Sequence, residues 1–170
     1  MERVLLTEED IAEICSSIGA RITEDYRGKD LVLVALLRGG LVFLADVCRH
    51  IELDLTLDFM AISSYGSGEA VRIVKDLDDD IRGKHVLVVE DLVDTGLTLH
   101  YILSVLSGRS PASVAVCTLL DRRARRIADV PIAYRGLEIP DVFVVGYGLD
   151  LGGRYRNLPY VAVVRDEVMG

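Results

Sequence analysis

The chain has no paired-cysteine motif. Its three cysteines, Cys15, Cys48 and Cys117, are widely spaced, flanked by apolar residues, and form no C-x-x-C. That argues against a zinc ribbon or a dithiol redox site, and leaves them as small buried hydrophobes in a reducing compartment. The chain also lacks an excess of positive charge: 27 acids against 19 bases give a net charge of −8. General nucleic-acid binding needs a basic footprint and is disfavoured; a local basic pocket for a small anion is not. No apolar run approaches membrane-spanning length, and the opening MERVLLTEED turns acidic too soon for a signal peptide. Internal repeats, linkers and low-complexity segments are missing too. These absences leave the expectation of a soluble, cytoplasmic chain. Its 170 residues, 51% of them hydrophobic, with a mean hydropathy of +0.33, suffice to bury one core in a single domain over residues 1–170.

What is present is concentrated in residues 86–99, VLVVEDLVDTGLTL. Val86 to Val89 form a continuous apolar run, the pattern of a strand buried on both faces. The run empties into Glu90 and Asp91, then Asp94, Thr95, Gly96, Leu97 and Thr98, where a helical pattern begins. A strand that ends in such a loop puts polar groups at the carboxyl edge of a parallel sheet, where open α/β sheets bind ligands. Asp94-Thr95-Gly96-Leu97-Thr98 offers backbone N–H groups at a helix start, two hydroxyls and a glycine, which together suit a phosphate. Glu90 and Asp91 would repel a phosphate. They can accept hydrogen bonds from sugar hydroxyls or hold a hard cation such as Mg²⁺. A ribose 5-phosphate satisfies both halves; a plain acidic turn before a capped helix is the bland alternative.

Taken in order, the rest of the chain gives the expected setting. Thr7-x-x-Asp10 reads as a capping box opening a packing helix with Ile11, Ile14, Cys15, Ile18 and Ile22 on one face. Leu31–Leu37 reads as a buried strand ending in Arg38-Gly39-Gly40, an anion-binding turn or a simple strand-to-helix turn, followed by a helix over Leu41–Ile51. From Leu53 to Ala61, Leu53, Leu55, Leu57 and Phe59 alternate with Asp54, Thr56 and Asp58, the pattern of an edge-proximal strand with one wet face. Ser63 to Gly68 then forms a small polar loop that can serve as a lid, with Tyr65 its only bulky member. Val71–Val74 would be a return strand, and Asp76–Asp80 a solvated acidic turn. After the helix ending near Leu106, Ser113–Leu120 reads as a strand leading to Asp121 and Arg122. Arg123, Arg125 and Arg126 read as a solvated face. Val142–Val145 and Val161–Val164 are short strands flanking a polar, glycine-rich stretch with Asp150, Arg154 and Arg156. Alternating strands and helices predict an α/β fold with a mainly parallel sheet and helices on both faces.

These stretches carry a resemblance. VLVVEDLVDTGLTL is similar to the phosphoribosyl pyrophosphate (PRPP) motif of type I phosphoribosyltransferases. LLRGG, SSYG, LDR and IPDVFVVGYGLD resemble, in order and spacing, the hypoxanthine-guanine phosphoribosyltransferases, and the likeness spans nearly the whole chain. It implies a five-stranded parallel core with a small hood built from the N-terminal segment and about residues 127–170. It implies Mg²⁺-dependent transfer of 5-phosphoribosyl from PRPP to N9 of hypoxanthine or guanine, giving IMP or GMP and pyrophosphate, by a homodimer or homotetramer. Asp94 would handle the purine N7 proton. Glu90 and Asp91 would engage the ribose hydroxyls and the metal, and Thr95 to Thr98 the 5-phosphate. Arg38, Gly39 and Arg156 would bind pyrophosphate, with a cis peptide between Leu37 and Arg38. Ser64 and Tyr65 would sit on the lid. Phe143 would stack on the purine, Arg122 would donate to its O6 and N7, and the Val144 backbone would read its 2-position edge. Asp150 belongs to the same pocket and would help hold a second Mg²⁺. The family commonly has lysine at the position of Arg122. A xanthine-preferring relative and an RNA- or protein-binding regulator of the same fold are the alternatives.

Overall fold

The structure is a computed structural model and describes residues 3–63 and 71–165. In chain order the elements are β1 (Arg3–Leu6), α1 (Glu8–Asp25), β2 (Leu31–Leu37), α2 (Gly40–Val47), β3 (Leu55–Ser63) and β4 (Arg72–Lys75). They continue with β5 (His85–Val93), α3 (Leu97–Ser107), β6 (Ser113–Asp121), β7 (Tyr134–Glu138), β8 (Val144–Val145) and β9 (Val161–Val163). Two sheets result: a six-stranded one in the order β4-β3-β2-β5-β6-β7, and a three-stranded one, β1-β9-β8.

The apolar runs fall at the centre of the large sheet, and burial on both faces explains why they do not alternate. On one face Leu31, Leu33, Ala35, Leu87 and Val89 pack beneath α1 and α2 with Cys15, Ile22, Phe43 and Leu44. On the other, Val32, Val34, Leu36, Val86 and Val88 pack beneath α3 through Leu99, Ile102 and Leu106. Strands β3, β2, β5, β6 and β7 are parallel, and β4 is antiparallel to β3 at the edge. The parallel pairings bring the ends of β2, β5 and β6 to one rim, which is where the site lies. The Thr7 cap forms as the sequence predicts: the Asp10 N–H donates to Thr7 Oγ1 (3.1 Å) and the Thr7 N–H to the Asp10 carboxylate (2.8 Å). Among the described residues, no helix is long and apolar enough to cross a membrane.

Four local expectations differ. The helix expected over Leu41–Ile51 is α2, followed by a 3₁₀ turn at Cys48–His50. The wet face of β3 is reversed around its middle: Asp58 is buried and Leu57 is exposed. Asp58 accepts from the N–H groups of Asp78 (2.9 Å) and Asp79 (3.2 Å), so it ties down the acidic turn that follows β4. The strand expected over Val142–Val145 is confined to Val144–Val145. Tyr134–Glu138 is a strand of the large sheet, inside the segment expected to form only the hood. Its short, mixed sequence YRGLE hides it. Gly136 is needed for packing, since a Cβ there would stand 2.5 Å from the Leu119 carbonyl oxygen.

Candidate active site

Strand β5 ends at Val93, and the chain turns through Asp94, Thr95 and Gly96 into α3. Gly96 has φ +80°, and a Cβ there would also stand 2.9 Å from the Ala128 oxygen. Glycine is required on both counts. Gly96 provides no side-chain cap; the Leu97 N–H donates to Thr95 Oγ1 (3.4 Å), and the other first-turn N–H groups of α3, which have no intrahelical partners, suit a ligand with the helix dipole behind them. A cavity of about 170 Å³ opens at this point, lined by Leu36, Glu90, Asp94, Thr95, Gly96 and Thr98 among others. Leu97, grouped with them from the sequence, is half-exposed and does not line the cavity.

Asp91 lies on the other side of its strand. Its Oδ2 would be only 1.8 Å from a Cβ at Gly39, so the carboxylate rests against the bare Gly39 backbone. The Leu37–Arg38 peptide just before is cis, as the resemblance implies. A Cβ at Gly148 would in turn stand 2.4 Å from the Gly39 oxygen. Asp91 through its carboxylate and Gly148 through its main chain therefore both close on the Gly39 backbone. From the Gly148 segment, Arg156 Nη1 donates to the Gly148 oxygen (2.5 Å) and Nη2 pairs with Asp150 Oδ1 (2.7 Å), while Asp150 Oδ2 accepts from the Gly153 N–H (2.7 Å). Arg38, Gly39, Asp91, Asp150 and Arg156 thus belong to one neighbourhood.

Arg122 follows β6 and is buried at 4% exposure. Its Nη2 donates to the Val142 oxygen (2.6 Å), and its Nη1 stands 3.3 Å from Asp94 Oδ2. Arg125 Nε lies 3.6 Å from Asp94 Oδ1. Arg122 thereby spans from Asp94 to the residue before Phe143 and Val144. Asp94 Oδ1 and Arg122 Nε are buried without a hydrogen bond among the described residues. Such groups are costly unless a ligand satisfies them, and their donor–acceptor chemistry suits a heterocyclic base. Ser64 and Tyr65 lie outside the described residues.

Electrostatics separate the acids. Burial, then the charge of Asp91 and a hydrogen bond with it, raise the Glu90 pKa well above the usual carboxylate range. Burial also raises Asp91, opposed by hydrogen bonds, including one from the Leu92 N–H (2.8 Å), and by the charge of Arg156. Two carboxylates that resist ionising side by side are suited to a divalent cation, which would favour their charged forms. Sequence reasoning missed Asp46, Asp121, Arg126 and Tyr147, which touch the site's loops from behind. Asp121 alone carried a signal, because it ends a strand at the same rim.

A parallel sheet with a phosphate-cradling helix start, paired acids and a cationic pocket at its carboxyl rim defines an α/β enzyme for a sugar phosphate. The phosphoribosyl transferase domain matches residues 4–151, and the chain belongs to that family. The chain is 50% identical over 167 residues to the hypoxanthine phosphoribosyltransferase of Escherichia coli K12, covering 95% of this chain and 94% of that protein. A hypoxanthine-guanine phosphoribosyltransferase of Staphylococcus aureus is 47% identical, over 99% and 96%. The crystal structure of a hypoxanthine phosphoribosyltransferase from Staphylococcus aureus superposes with a TM-score of 0.97 at 46% identity, covering all of this chain and 95% of that one.

Proposed function

We propose that this chain transfers the 5-phosphoribosyl group of PRPP to N9 of hypoxanthine or guanine, releasing pyrophosphate and forming IMP or GMP in purine salvage. One observation carries the reading: the Asp94 carboxylate, at the turn that opens the phosphate-binding helix, stands 3.3 Å from the buried Arg122 guanidinium. That contact supports a proton-handling role for Asp94 between the sugar-phosphate site and the base pocket of this proposal. Thr95 to Thr98 hold the 5-phosphate, and Glu90 and Asp91 take the ribose hydroxyls. Arg38, the Gly39 backbone and Arg156 receive the departing pyrophosphate. Phe143 stacks on the purine, Arg122 donates to its O6 and N7, and the Val144 backbone meets its 2-position edge. Asp94 manages the N7 proton as N9 attacks C1 of the ribose. Glu90 and Asp91 are the residues that would hold Mg²⁺, with Asp150 helping to hold a second ion; the metal when bound neutralises charge on the pyrophosphate. A lid at Ser64 and Tyr65 would keep water from the ribosyl cation. The active form is a homodimer or homotetramer, which sedimentation measures directly.

The test is a base panel with PRPP and Mg²⁺, run on the parent and on Asp94→Asn. Turnover is expected with hypoxanthine and guanine, with kcat falling about 10²–10⁴-fold in the variant while PRPP binding survives. Preference for xanthine would overturn the substrate assignment, and an unchanged kcat would remove Asp94 from proton transfer.

A further inference from the structure

Beyond its first member, the run Arg122, Arg123, Arg125, Arg126 reads in the sequence as a solvated face. At its last member the structure is different. The Arg126 side chain is only 16% exposed, whereas Arg123 is exposed. Arg126 Nη2 donates to Asp121 Oδ1, and Asp121 is fully buried at the end of β6. Its Nε donates to the main-chain oxygen of Asp94 (3.1 Å). Its Cδ fills the space where a Cβ at Gly96 would be, 2.9 Å away. The next two residues continue the contact, with the N–H groups of Ile127 and Ala128 both donating to the Thr95 oxygen (2.8 and 3.0 Å). Arg135 of β7 stands 2.9 Å from the other Asp121 oxygen. Asp94, Thr95 and Gly96 are therefore each held from behind by one short segment, and that segment is pinned to a buried carboxylate fixed between two strands.

We propose that Arg126, anchored on Asp121, is a positioning residue for the Asp94–Gly96 turn. It keeps the Asp94 carboxylate and the first turn of α3 aimed at the same sugar phosphate. It touches no reacting atom and acts through the backbone it grips. The geometry requires a guanidinium: one nitrogen reaches a carboxylate while another, fixed in the same plane, reaches a carbonyl. A lysine ammonium is a single centre on a flexible stem.

The inference rests on residues 94–98 being the PRPP loop, and the experiment separates the two. Arg126→Met, Arg126→Lys, Asp121→Asn and Thr98→Ala are compared with the parent, with exposed Arg123→Ala as control, by steady-state kinetics, PRPP titration and thermal melts. In folded Arg126→Met, kcat is expected to fall about 10- to 100-fold and KM for PRPP to rise about tenfold, with KM for hypoxanthine within about twofold of the parent. Arg126→Lys should recover part of the loss, and exposed Arg123→Ala should keep the kinetics of the parent. If Arg126→Met does not fold, the lysine and Asp121→Asn variants carry the same comparison. Parent-like kcat and KM for PRPP in the folded variants would overturn the proposal, as would equal rises in both KM values, the mark of a merely structural ion pair. If Thr98→Ala keeps full PRPP affinity, the loop assignment fails and takes the proposal with it. If that affinity is lost while the Arg126 variants bind and turn over normally, only the positioning role fails.

Discussion

Gly39 has no room for a side chain. A Cβ would sit 1.8 Å from the Asp91 carboxylate, so Gly39→Ala must displace either the proposed pyrophosphate loop or an acid of the proposed metal pair. The expected result is a loss of about 1–3 kcal/mol in stability and a sharp fall in kcat/KM for PRPP. Denaturant melts and steady-state kinetics check both, and parent-like kcat/KM would show that the contact is dispensable. Two of the three cysteines are buried packing residues as the sequence predicts, while Cys48 is only partly buried: burial pushes the Cys15 thiol up to about 11 and raises Cys117 further, which keeps both protonated at neutral pH. Arg126 and Asp58 are opposite cases of the same lesson. A charged side chain in a charged run gives no sign of being buried, because the partner that takes it inside is remote in sequence. Asp58 is tied to N–H groups at Asp78 and Asp79, and pattern alone assigned it to water.

At the scale of elements, the Tyr147 side chain ties α2 to the 146–156 loop. The Tyr147 hydroxyl donates to Asp46 Oδ2 of α2 at 2.5 Å. Tyr147 itself is buried with φ +50°, and burial, followed by that hydrogen bond, raises its pKa. Because α2 begins at Gly40, the bond sets the helix that directly follows Arg38 and Gly39 against the loop that carries Arg156. Tyr147→Phe removes the hydroxyl and leaves Asp46 only its Arg49 partner. A loss of about 1–3 kcal/mol is expected, in the range for hydrogen bonds to charged groups. Urea denaturation measures it, and a change below about 0.5 kcal/mol would class the bond with neutral surface contacts. Such a tether was not legible in the sequence, whereas the β5–α3 stretch was. The strand, the acids, the glycine and the helix start of that stretch are contiguous, so local pattern determines them. Tyr147 and Asp46 are 101 residues apart, and only the folded topology brings them together. β7 failed for a related reason: a short strand held by one parallel neighbour and a glycine contact needs little hydrophobic periodicity of its own.

For the whole molecule, the acidic balance predicts how stability responds to pH at one cross-link. Arg109, beyond α3, pairs with Asp76, after β4, through two contacts of 2.7 Å. The hydrogen bonds from Arg109 hold the Asp76 carboxyl below its usual range. A depressed carboxylate contributes stability above its unfolded pKa, about 3.9, and that contribution is lost as pH falls through the folded value. Both side chains are partly solvated, so the pair is worth no more than about 1 kcal/mol. Asp76→Asn should therefore be slightly less stable than the parent at pH 7, and the gap should close as the pH drops below about 4. A gap that stays constant with pH would mean that the carboxylate's charge is not its source.

The close approach of the Asp91 carboxylate and the Gly148 main chain to Gly39 also limits how this enzyme can be tuned. Gly148 meets the Gly39 oxygen with no side chain between them, and a Cβ at either glycine would clash, so no substitution at these two positions can adjust that gap by a fraction of an ångström. On the proposed assignment of Arg38 and Arg156 to pyrophosphate, variation in how firmly the leaving group is held acts through the charged side chains at the edges of that junction, Arg38, Asp91 and Arg156. The junction itself is a fixed point around which a lineage of such enzymes can vary but which it cannot remodel in single steps.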